Sequence, residues 1–95
     1  MSGSVTQLGE ALHRLLTLPM HTQADLASWY EQADAFRRLL RALPPSVNDR
    51  LPHELEHFLS DADIRLKDER YADVQEAKMR ALSDTLMAGV LPGDP

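Results

Sequence analysis

The residues best placed to do chemistry are His53-Glu54-Leu55-Glu56-His57 and the nearby Asp61. On a helix, positions four apart share a face, so His53 and His57 present two imidazoles one turn apart, with the Asp61 carboxylate one turn further on. Two neutral imidazoles and a carboxylate suit a transition metal such as zinc. A second spacing points the same way. Glu10 to His13 and Glu54 to His57 are both Glu-x-x-His pairs, the element that di-metal centres in four-helix proteins use twice, together with a lone glutamate on each remaining helix. Glu31 and Glu76 are the available glutamates, and both fall off the apolar stripes described below. Ser60-Asp61-Ala62-Asp63 has the acid spacing that opens a calcium loop, but Arg65 stands where a third oxygen ligand belongs. Leu66 replaces the turn glycine, and Ala72 the closing glutamate.

The string from His53 to His57 resembles the H-x-x-E-H motif of the inverted zinc metallopeptidases over five residues. That fold is far larger and takes a further carboxylate ligand well downstream, and little chain follows His57. Thr22-Gln23-Ala24-Asp25-Leu26-Ala27 resembles the opening of the second helix in phage-repressor helix-turn-helix proteins over six residues. Ser28-Trp29-Tyr30-Glu31 then continues the helix where that fold turns. The chain has no cysteine, which removes thiol redox chemistry, thiolate zinc and a cysteine nucleophile. No Gly-rich phosphate loop and no Gly-x-Ser-x-Gly elbow occur. These residues lead to no enzyme assignment and no cofactor; metal binding by His53, His57 and Asp61 is the alternative functional reading.

Whatever these side chains do, helices must hold them. Val5, Leu8, Leu12, Leu15 and Leu16 form one stripe at helical spacing, with Ser4 or Thr6 as cap. Pro19 disfavours helical backbone at Leu18, which ends this first helix near Thr17. The clearest seam follows: Leu26, Trp29, Ala33, Phe36, Leu40 and Leu43 alternate three and four apart, one face of a helix from about Gln23 to Ala42. Thr22 and Asp25 can cap its start, and Arg37, Arg38 and Arg41 suit the negative end of its dipole. Pro44-Pro45 breaks the chain, and 46–51 forms a turn of helix or a loop. A third helix is expected from Pro52 to about Lys67 on Leu55, Leu59, Ala62 and Leu66, with Phe58 broadening the face and Ile64 off it. Asp68 and Glu69 open a fourth, with Ala72, Met79, Leu82 and Leu86 inward, Tyr71 and Val74 flanking, and Gly89 as C-terminal cap. Lys67-Asp68-Glu69-Arg70 holds neither Gly nor Pro, so a continuous helix from Pro52 to Ala88 is the alternative. The expected fold is all-α: one domain over 1–95, an antiparallel bundle of four helices, three if the last two are continuous. The ends, about residues 1–4 and 90–95, are expected to be flexible.

The net charge of −5 is unevenly placed. Up to Asn48, four acids balance four arginines; from Asp49 to Glu76, nine acids face four bases. An acidic surface repels phosphate backbones, which argues against nucleic acid as a partner. The N-terminus lacks the basic and apolar regions of a signal peptide, and no apolar run approaches the roughly 20 residues of a membrane span. A soluble, cytoplasmic protein is expected. Tyr30, Ile64, Tyr71 and Val74 are apolar side chains left outside the four stripes, and Asp61 and Asp63 lie in the acidic quarter. Together they form the expected partner-binding set. The reading is a small, non-enzymatic helical interaction or adaptor protein, with a basic protein or a second copy as partner.

Overall fold

The computed structural model describes residues 3–92; of the ends expected to be flexible, residues 1–2 and 93–95 lie outside the described residues. The described chain is all-α, with no strand. Its helices are α1 (Gly3–Thr17), α2 (Gln23–Ala42), α3 (Pro45–Asn48), α4 (His53–Ser60), α5 (Ala62–Lys67) and α6 (Glu69–Met87). Among the described residues no helix is long and apolar enough to cross a membrane.

Local chemistry explains most of the boundaries. Thr22 and Asp25 close a reciprocal capping box: the Asp25 N–H donates to Thr22 Oγ1 at 3.1 Å, and the Thr22 N–H donates to Asp25 Oδ2 at 3.2 Å. At the other end of α2, the Asn48 side-chain amide donates to the Leu40 carbonyl at 2.7 Å. The turn of helix that begins at Pro45 thus adds a second donor to a carbonyl that already accepts from the Leu43 N–H at 3.1 Å. Helix α6 ends in a Schellman motif: the Gly89 N–H reaches Leu86 O at 2.8 Å and the Val90 N–H reaches Thr85 O at 3.2 Å. Gly89 has φ 79°, the left-handed conformation this motif requires. Helix α1 is already formed at Gly3, ahead of the cap expected at Ser4 or Thr6.

The core is built from Val5, Leu8, Leu12 and Leu15 of α1, Trp29, Ala33 and Phe36 of α2, Leu55, Phe58 and Leu59 of α4, Ala62 of α5, and Met79, Leu82 and Leu86 of α6. The seam on α2 is buried at its centre and half-buried at Leu26, Leu40 and Leu43. The most extensive helix pair is α1 with α6. They run antiparallel, since Gly9 meets Leu86 and Met87 while Leu15 and Leu16 share a groove with Glu76. A Cβ on Gly9 would lie 2.6 Å from the Met87 backbone nitrogen, so the approach of these two backbones depends on the missing side chain.

Two expectations are corrected. The expected helix from Pro52 to Lys67 is two helices, broken at Asp61, whose φ of −105° and ψ of 20° leave the helical region; Pro52 is the N-cap of α4 rather than a first-turn residue. On α5, Arg65 is buried and Leu66, expected on the buried stripe, is only half-buried. A continuous helix to Ala88 does not form either. Asp68, at φ −129° and ψ 100°, caps α6 by accepting from the Tyr71 N–H at 3.0 Å.

Candidate functional site

The break at Asp61 gathers most of the polar residues that the sequence singles out. In an unbroken helix the Phe58 carbonyl would accept from the N–H of Ala62. Here it accepts instead from Arg65 Nη1 at 2.7 Å. The Ser60 carbonyl takes the Tyr30 hydroxyl as donor at 3.1 Å, and the same phenol oxygen accepts from the Asp63 N–H at 3.3 Å, with Asp63 Oδ1 3.2 Å away. One side chain from α5 and one from α2 thus satisfy backbone groups that the break exposes. On the α6 side, the Tyr71 hydroxyl donates to Asp61 Oδ2 at 2.6 Å and accepts from Gln75 Nε2 at 3.3 Å.

Arg65 sits at the centre and is only 5% exposed. Its guanidinium lies 4.7 Å over Trp29 and 4.1 Å over Phe58, both ring faces that attract a cation. Nη1 also donates to Gln75 Oε1, while Nη2 is buried without a hydrogen-bond partner among the described residues. Burial lowers its pKa, opposed by the negative charge of Glu76. Arg65, Phe58, Glu76 and the segment from Leu15 to His21 line a groove of about 430 Å³. Glu76 itself pairs with Arg80 at 3.6 Å.

The expected partner-binding residues therefore divide. Tyr30, Asp61, Asp63 and Tyr71 are bonded to one another's segments across the α4–α5 break. Ile64 and Val74 are 43% and 54% exposed. The metal candidates separate as well. His53 lines a hollow with Asn48 and Leu51, whereas His57 lines a groove with Tyr71 and Val74, and Asp61 is held by Tyr71. Among the described residues no group of three or more His, Asp or Glu side chains is placed to hold a metal ion.

A second surface lies on the outer side of α1 and α2. Two hollows, of about 290 and 140 Å³, run along the line where these helices meet, and Leu39 lines both. The first is walled mainly by Ala11, Leu15, Leu18, Ala35 and Phe36 with Gln32 at its edge, the second by Leu8, Ala42 and Leu43 with Ser4 and Gln7. Leu39 is 42% exposed, which makes it an apolar knob between two apolar hollows. Arg14 is the one charged side chain lining either of them. Sequence reasoning missed Leu39 because it lies off the seam. Its signal was present, since Ala35 and Ala42 stand four before and three after it. Arg65 was missed too, although it follows Phe58 and Ala62 at stripe spacing.

Compared with known protein families, curated proteins and solved structures, the chain matches none of them.

Proposed function

We propose that this chain is a small, non-enzymatic helical interaction protein that binds another polypeptide through the outer face of α1 and α2. The observation that supports this reading is the exposed Leu39 set between two apolar hollows. A knob with apolar recesses on both sides gains from burial against a complementary chain, at about 25 cal/mol for each Å² of apolar surface removed from water. Charge is a weak element of this face, so recognition there comes from shape and apolar contact rather than from long-range attraction.

The test is a photo-crosslinking amino acid introduced at Ala35, exposed beside Leu39, in cells that make the protein. A control carries the same group at Glu69, exposed at the start of α6. Crosslinked adducts at position 35 in excess of those at position 69 are expected. Equal yields at the two positions would overturn the reading.

A further inference from the structure

The identity of the partner follows from shape and charge together, and rests on the reading of the α1/α2 face as an interaction surface. We propose that the face is occupied by a second copy of this chain, in a two-fold dimer in which Leu39 of each copy seats in a hollow beside Leu39 of the other.

A two-fold interface requires that one patch carry both the projecting group and the recess that receives it, because each copy offers the same surface. This face carries both, side by side: Leu39 projects, and hollows of about 290 and 140 Å³ adjoin it. A cavity of about 150 Å³ accommodates a benzene molecule, so either hollow has room for the four carbons of a leucine side chain.

Charge selects the same face. Each copy carries a net −5, and like-charged copies repel when their charged regions meet. The whole of that net charge lies between Asp49 and Glu76, whereas the acids and bases up to Asn48 balance. Helices α1 and α2 belong to the balanced segment. Two copies that meet through them bring together the parts of the molecule without net charge.

The extent is sufficient for a weak dimer. Helices of 15 and 20 residues lying side by side, about 10 Å apart, offer a face of roughly 500 Å² per copy. The total, roughly 1,000 Å², is at the small end of specific interfaces and fits micromolar rather than nanomolar affinity.

Sedimentation equilibrium of the purified full chain, from about 1 µM to about 1 mM, brackets that affinity. The wild type is expected to shift from monomer to dimer across this range. Added salt is expected to leave the dimer unchanged or tighten it, since screening removes only repulsion. Leu39→Glu is expected to weaken association at least ~100-fold, by placing a charge in an apolar contact, with the helical circular dichroism signal retained. Ala35→Lys, at a neighbouring exposed position, is expected to do the same and serves if the first variant misfolds. Ala77→Glu, at an exposed position on α6, is expected to leave the dimer intact.

A wild-type chain that stays monomeric throughout would overturn the proposal. So would a dimer that survives both Leu39→Glu and Ala35→Lys, or one that salt dissolves, which would indicate acid–base docking through the acidic quarter. A monomeric wild type that still crosslinks from position 35 to a different protein would end this proposal and leave the broader interaction reading standing.

Discussion

Arg65 and Phe58 meet twice: the guanidinium carbon of Arg65 lies 4.1 Å from the centre of the Phe58 ring, and its Nη1 donates to the Phe58 backbone carbonyl at 2.7 Å. One side chain therefore covers an aromatic face and fills the acceptor that the broken helix leaves open. The arrangement keeps a cation in the interior with two aromatic faces, a carbonyl and an amide around it rather than a paired carboxylate.

Removing that side chain tests its role. Arg65→Ala is expected to cost about 2–4 kcal/mol, combining lost packing with unsatisfied polar groups at Phe58 and Gln75. Arg65→Met restores packing and removes a buried charge, so it is expected to be milder by at least ~1 kcal/mol. Urea unfolding measures both. An alanine variant within about 0.5 kcal/mol of wild type would mean that the break at Asp61 is held by other contacts.

Gly9 tests the α1–α6 crossing. Alanine is the better helix former by about 1 kcal/mol, yet its Cβ would meet backbone at 2.6 Å. The steric cost, about 1–3 kcal/mol, is expected to dominate. Thermal unfolding of Gly9→Ala should fall by about 5–10 °C for a domain of this size. A melting temperature equal to or above wild type would show that the two helices separate without penalty.

Alkaline pH tests the phenols. The hydrogen bond to Asp61 raises the Tyr71 pKa above its ordinary value of 10.0, and burial is the main cause of the same direction at Tyr30. The fold favours both phenols in their neutral form. Their stabilisation is fully present below about pH 10, the unfolded value, and is lost as pH rises through the higher folded values. Tyrosinate absorbance is expected to appear at higher pH in the native chain than in urea. Tyr71→Phe should remove one of the two delayed ionisations. Coincident native and unfolded titrations would contradict the hydrogen bonds assigned here.

Acid tests the cap of α2. The His21 N–H donating to Asp25 is the leading cause that lowers the Asp25 pKa, joined by Thr22. A lowered carboxyl stabilises the fold above its unfolded value, and the effect is lost as pH falls through the folded value below 3.8. Melting temperatures from neutral pH down to about pH 3 should therefore decline more in wild type than in Asp25→Ala. At neutral pH, Thr22→Ala is expected to cost about 1 kcal/mol. Parallel acid profiles for wild type and Asp25→Ala would remove the box from the account of α2.

Local signals were enough where a short stretch of chain decides its own conformation. Pro19 and Pro44-Pro45 end the helices before them, Thr22 and Asp25 cap from three residues apart, and Gly89 supplies a positive φ. The all-α class and the bounds of α2 follow from these and from the 3.6-residue period of the seams. The division at Asp61 lies outside that reach, since no Gly or Pro marks it. Arg65, seven residues on, and Tyr30, thirty residues back on another helix, replace the helical partners of Phe58 and Ser60. Tertiary contacts likewise decide that Asp61 meets Tyr71 rather than the two histidines, and that Tyr30 and Asp63 hold each other. Leu39 is the remaining case. Its place between Ala35 and Ala42 is written in the chain, but a knob needs hollows beside it, and those arise only when α1 lies against α2. Spacing along one helix sets which side chains share a face; what that face meets is set by packing between helices, which no single helix encodes.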